Sequence, residues 1–352
     1  MLSRGGLGPA RYRPFVPLLA ALATGAHPPP APEASEAQLL AEAAVHHGVV
    51  GPLLTGVRSG RVAMPAAYVR ALEAEHARAL VHGSLLRAEL PRLGAVIAEA
   101  CDAPPILFKG PSVADRFYAE PAHRTFVDLD LLLPADRVNA AAAALTREVG
   151  YQPVDLEWPQ SLARHGHAVG LERSAGAHGL LIELHWRVSD DPAASELDHA
   201  RVVTAARPWP AASLLAAPAL PEQLLLLALH LVSHADAKLI WLIDLALVTA
   251  AADDRQWQAS LTLARELELE WVLCTALERS EQATGLRHPA PRPRPSRPGP
   301  WGPLRVATTF NGPVGYHVGH LATLSWRGRA EYLSVGFRRV ARRWSIGRRE
   351  PS

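Results

Sequence analysis

Val127-Asp128-Leu129-Asp130-Leu131 is an apolar stretch with an acid at every second position. That spacing is the period of a β-strand, whose alternate side chains point to one face. Both carboxylates therefore stand on the same face, about 7 Å apart at their Cα atoms. Val127, Leu129 and Leu131 stand on the other. Like charges at this spacing repel unless something compensates, and a divalent cation with oxygen ligands does so. The bland alternative is a pair of solvated acids at a sheet edge, the usual meaning of a lone Asp-x-Asp. The apolar remainder of the strand argues for burial and against that alternative. Phe126 to Leu133 is thus read as a buried strand, ended by Pro134.

Working outward, a third acid has a matching context. Glu183 lies in Leu181-Ile182-Glu183-Leu184-His185, a second apolar strand with one acid pointing out. If the two strands are neighbours, Asp128, Asp130 and Glu183 share one face and can hold metal ions. His185, two residues on, shares that face too. Upstream, Ile106–Phe108 reads as a short strand ending in Lys109–Gly110. A glycine there lets backbone approach a phosphate, and a helix starting near Ser112 aims its first N–H groups at it. Lys109 either adds charge or snorkels. Ser112 is either a phosphate ligand or an N-cap. Arg124, four residues before Asp128, either binds phosphate or holds the aspartates.

Helical spacing flanks this region on both sides. Pro17–Thr24 is a short helix stopped by Gly25. Ala34–Val50 is a second, broken or bent at Gly51–Pro52, and Pro65–Ala100 a third, with Pro91 as a kink or junction. Arg137–Val149 is an Ala-rich helix stopped by Gly150. Ala168–Arg173 and Leu180–Trp186 read as a hairpin around Ser174–Gly179. Pro221–His234, Lys238–Ala252 and Gln256–Thr284 are helices. The order, helices then β-α-β-α-β-β then helices, argues for an α/β core inside helical flanks. The units are an extension (1–32), a helical lobe (33–103), the α/β core (104–215), a second helical lobe (216–287), and a Pro/Arg-rich linker with a basic tail (288–352).

Composition narrows the function. The chain has 352 residues, 49% hydrophobic and 20% charged, enough to bury a sizeable core. Its 36 Lys and Arg against 34 Asp and Glu leave a formal charge of +2, which excludes a wholesale polyanion binder and a disordered acidic chain. Two cysteines, Cys101 and Cys274, exclude a disulfide framework and a Cys-rich zinc module, and suit a reducing cytoplasm. Arg4, Arg11 and Arg13 before Phe15–Ala23 imitate a signal peptide, but Pro14 and Pro17 interrupt it and no cleavage pattern follows. The most apolar region, Leu224–Ala252, carries His230, His234, Asp236, Lys238 and Asp244. It reads as buried helices and not as a transmembrane span.

Lys109-Gly110, Arg124, Asp128-Leu129-Asp130-Leu131-Leu132 and Glu183-Leu184-His185-Trp186 together resemble the bacterial uncharacterised nucleotidyltransferase family, within the DNA polymerase β-like nucleotidyltransferase superfamily. His46-His47-Gly48-Val49-Val50-Gly51-Pro52-Leu53 and His230, His234 with Trp241-Leu242-Ile243-Asp244 are similar to its flanking signatures. The resemblance covers roughly residues 35–285. It implies a small mixed β-sheet nucleotidyltransferase core, α/β (α+β) in class, flanked by N- and C-terminal helical lobes. It implies Mg²⁺ or Mn²⁺ on Asp128, Asp130 and Glu183, and transfer of a nucleoside monophosphate from an NTP such as ATP to an acceptor. It also makes Gly110 the glycine of a phosphate turn. Some members of the family sit in peptide natural-product clusters of the lasso-peptide type. One departure is local: Pro111 follows Gly110, where the wider superfamily has Gly or Ser.

His230 and His234 are four apart, the spacing of a zinc pair on a helix, but Leu231 stands where the metalloprotease pattern needs Glu. They read instead as a buried polar pair joined by Asp244, or as substrate lining. The tail Arg327–Arg349 has eight arginines against Glu331, with Tyr332, Phe337 and Trp344 interleaved. Nucleic acid or an anionic membrane would contact the chain there, although a solvated tail is the simpler reading. Three functions follow: a metal-dependent nucleotidyltransferase, favoured by the three acids; a catalytically inactive binding or antitoxin-like module, favoured by Pro111; and a nucleic-acid accessory protein acting through the tail.

Overall fold

A computed structural model describes residues 9–30, 32–154, 167–188, 197–209, 214–234, 237–287 and Ala290. The linker and basic tail beyond Ala290 lie outside the described residues.

Helix α1 (Val16–Thr24) ends at Gly25, whose φ of 73° is the left-handed conformation that terminates a helix. Although it lies in the segment read as an extension, its Leu18, Leu19 and Ala20 are buried. Next come α2 (Ala37–His47), α3 (Val50–Arg58) and the 36-residue α4 (Ala66–Cys101). The break expected at Gly51–Pro52 falls instead at Gly48, with φ 72°. Gly51 and Pro52 lie in the first turn of α3, where N–H groups have no intrahelical acceptor and proline costs little. Pro91, expected as a kink or junction, sits inside α4 with no interruption of the helix.

Strand β1 (Ile106–Leu107) leads into α5 (Pro111–Phe117), and β2 (Asp128–Leu132) into α6 (Val138–Ala144). Then follow β3 (Gln152–Pro153), β4 (Ala168–Ala175) and β5 (His178–His185). The hairpin β4–β5 turns at Gly176–Ala177, tighter than expected, because pairing runs to Ala175 opposite His178. After α7 (His199–Val203), β6 (Arg207–Pro208) and β7 (Ala216–Ala217), the chain is helical: α8 (Leu220–Ser233), α9 (Leu239–Ala250), α10 (Asp254–Glu266) and α11 (Glu270–Thr284). A single helix over Gln256–Thr284 was expected. Glu268, at φ 55°, breaks it in two and sinks Leu269 into the core. The apolar pattern continues through that turn, so periodicity alone does not reveal it. None of the described helices is long and apolar enough to cross a membrane.

The seven strands form one mixed sheet in the order β3-β4-β5-β2-β1-β7-β6. β2 runs parallel to β5, and β1 antiparallel to β2. One face carries Leu129, Leu131, Leu180, Ile182 and Leu184, packed with Leu86, Leu90, Leu93 and Ile97 of α4 and with α6. The other face carries the acids. There Ile106, Phe108 and Leu132 join a larger apolar cluster shared by α1 to α3 and α8 to α11. The helices before and after the sheet thus build one body over the acid-bearing face.

Candidate active site

The β2–β5 register sets Asp130 opposite Glu183 and Leu132 opposite His185. Period-two alternation then brings Asp128, Asp130, Glu183 and His185 to one face, on the wall of a cavity of about 540 Å³. Lys109 and Gly110, from the turn after β1, line the same cavity. Gly110 caps α5 at φ 56°, ψ −116°, a conformation that favours glycine.

Asp130 is 3% exposed. Its Oδ1 accepts from Lys109 Nζ at 2.8 Å and from His185 Nε2 at 3.1 Å. His185 Nε2 also reaches Glu183 Oε2 at 3.2 Å. Burial alone would raise the Asp130 pKa, but Lys109 and His185 outweigh it and hold the carboxyl well below its usual range. Burial likewise works to lower His185, yet its bonds to Asp130 and Glu183 raise it. Its Nδ1 faces the Arg187 carbonyl at 3.3 Å, so both ring nitrogens meet acceptors, the setting of an imidazolium. Glu183 is lowered chiefly by its bond from His185. Asp128 is pushed the other way, up to about 7, by burial and by the charge of Asp130.

The sign of that last shift makes a prediction. A carboxyl with a raised folded pKa favours the folded state when protonated, and that contribution is lost as pH rises from the ordinary value towards about 7. Without divalent metal, Asp128→Asn should raise the melting temperature at pH 8 and change it little at pH 4. Equal shifts at the two pH values would contradict the repulsion.

Oxygen ligands from Asp130 and Glu183, with the His185 imidazole, lie within 4.8 Å of one another. Hard carboxylate oxygens suit Mg²⁺ or Mn²⁺, while His185, with both ring nitrogens already hydrogen-bonded, orients the two carboxylates. Asp128, beside them on the same face, carries the repulsion that a cation would relieve. The donor set fits such an ion, with Lys109 covering one oxygen of Asp130.

Across the cavity stand His230, His234, Lys238 and Trp241. The three rings lie 4.5 to 4.8 Å apart. Lys109 Nζ donates to His230 Nδ1 at 3.2 Å, which requires a neutral imidazole. Burial, then Lys109, drives His230 well below its usual range and His234 down to about 4. His234 is not on the helix proper but caps it with extended backbone. The pair is therefore not held at helical i,i+4 spacing, although the two rings still meet at 4.5 Å.

Three other assignments are corrected. Ser112, expected as a phosphate ligand or cap, is fully buried at the second position of α5, and Gly110 is the cap. Arg124 lines the cavity, but its guanidinium is turned to Asp244, with Nε at 2.9 and 3.0 Å and Nη2 at 2.8 Å. It is not presented as an open phosphate ligand. Asp244 does not join the histidines: it also accepts from Tyr118 Oη at 2.7 Å and ties α9 to the loop before β2. Sequence reasoning missed the direct Lys109–Asp130 pair, the central place of His185, and His167, whose ring lies 5.6 Å from that of His185. The two-residue step from Glu183 to His185 was the one available signal.

A family model described as uncharacterised nucleotidyltransferase matches residues 33–285, more than half of the chain. No curated protein matches it.

Proposed function

The chain belongs to the uncharacterised nucleotidyltransferase family, and from that premise we propose that it transfers a nucleoside monophosphate from an NTP to an acceptor hydroxyl with Mg²⁺ or Mn²⁺. The observation that carries this reading is the Asp130–Glu183 register, which lines two carboxylates and His185 along one cavity wall. Asp130 and Glu183, with Asp128 beside them, are the residues that would hold the ion. When bound, such an ion supplies positive charge for the triphosphate and makes an acceptor hydroxyl more acidic.

The remaining work falls to side chains. His185 fixes the orientations of Asp130 and Glu183 through one nitrogen. Lys109 is the cation placed to meet phosphate oxygens, at the glycine turn where backbone can approach them. The Glu183 side chain is 36% exposed, against 3% for Asp130. It is the acid placed to take the acceptor's proton as the acceptor oxygen attacks the α-phosphorus and pyrophosphate leaves. ATP as donor and a peptide-type acceptor are the specific forms of this proposal. A second reading, a non-catalytic binding module, is favoured by Lys109 already neutralising Asp130 and by Pro111 after the glycine.

Purified protein with Mg²⁺ or Mn²⁺ and each labelled NTP should bind nucleotide in a metal-dependent way, and a mass screen of candidate acceptors should show added nucleoside monophosphate. Nucleotide binding indifferent to metal, with no transferred mass, supports the module and sinks the transferase.

A further inference from the structure

A second cavity, of about 770 Å³, opens near β6 and shares no lining residue with the first. Arg116 of α5, Arg207 of β6 and Arg255 of α10 converge on it. None of the three makes an ion pair among the described residues. Asp253 also lines the cavity, but its carboxylate accepts from Gln256 N at 2.7 Å and caps α10. The first turns of α8 and α10 both border the space; Asp253 already caps α10, so α8 supplies the free positive helix end beside the guanidiniums.

Arg116 keeps an exposed outer edge, yet loss of water and the neighbouring charge of Arg207 bring its pKa down to about 10. Three exposed guanidiniums that line one concave space with no carboxylate partner among the described residues are an arrangement that an anion stabilises. One carboxylate would leave charge uncompensated, whereas a diphosphate carries charge and acceptor oxygens enough for several forked donors. The arginines gather around one cavity and do not follow a long groove, which suits a small ligand and not a polymer backbone.

We propose that this cavity is a binding site for a small phosphate-bearing ligand, distinct from the transfer site. The site is wired to the cleft. Arg116 Nη1 donates to Gln223 Oε1 at 3.2 Å, and Gln223 Nε2 donates to the Phe108 carbonyl at 2.7 Å, one residue before Lys109. Helix α5 itself joins the two, with Gly110 at the cleft and Arg116 about 10 Å away along the axis.

The test is calorimetric titration of the full chain with inorganic pyrophosphate, without divalent metal. Wild type and the cleft variant Lys109→Met should bind saturably, and Arg116→Gln/Arg207→Gln should lose about tenfold or more, the worth of one charge-assisted hydrogen bond. The double variant should melt no lower than wild type without pyrophosphate, since it relieves repulsion. If it melts lower, Arg255→Gln, on an exposed side chain of the same cavity, must show the loss instead. Binding abolished by Lys109→Met but kept by the arginine variants would put the anion in the cleft and overturn the proposal, as would no saturable binding. A single-stranded RNA that binds through the same arginines more tightly than pyrophosphate would overturn it in favour of a polymer site.

Discussion

Asp244→Ala should destabilise the protein by about 3–5 kcal/mol, the cost of removing one partner from a buried ion pair. Asp244 is 1% exposed and Arg124 7%. The carboxylate accepts from Arg124 through both oxygens and from Tyr118. Truncation leaves a buried guanidinium without its paired carboxylate, with only the more distant charge of Asp128 to answer it, and a buried hydroxyl with its best acceptor gone. Against a typical stability of about 5–15 kcal/mol, the loss is a large fraction of the whole. Urea unfolding followed by circular dichroism measures it. The double change Arg124→Met/Asp244→Leu should recover much of the loss, since apolar replacements of a buried pair are often tolerated. A single-variant loss under about 1 kcal/mol would show that the pair is hydrated and not structural.

The largest effect on activity belongs to Asp130. Asp130→Asn keeps the shape but removes the charge that Lys109 and His185 both address. Nucleotidyl transfer should fall by about a thousandfold or more, or roughly 4 kcal/mol of transition-state stabilisation. Mn²⁺ binding, read by electron paramagnetic resonance, should weaken in parallel. Activity within about tenfold of wild type would remove Asp130 from the reaction. A melting curve separates this from unfolding, because the substitution leaves the apolar packing of β2 untouched. Retained nucleotide binding with lost metal binding would favour the non-catalytic module.

The two predictions differ in how far sequence could reach them. The alternation around Asp128 and Asp130 and the isolated acid Glu183 were readable one strand at a time, because side-chain direction in a strand follows from position alone. Their meeting was not, since it depends on β2 and β5 pairing in parallel with Asp130 opposite Glu183. The helical flanks were legible from apolar spacing, and so were ends such as Thr24 before Gly25 and Thr284, but two interior breaks were not: those at Gly48 and Glu268 are set by local backbone conformation, which apolar periodicity does not encode. Arg124 and Asp244 were each singled out, but neither was read as the other's partner. They lie 120 positions apart, and no local pattern links residues so distant.

What the sequence determined by itself is therefore chemistry by element: three acids on two apolar strands, a lysine and glycine at a turn, two histidines near the end of a helix, and helices on either side. What only the tertiary structure decided is which charges answer which. Lys109 compensates Asp130, His185 bridges two carboxylates, and Asp244 pairs with Arg124. Electrostatic partnership falls off over a few ångströms of space, and those distances exist only once the sheet has paired and the helices have closed over its acidic face.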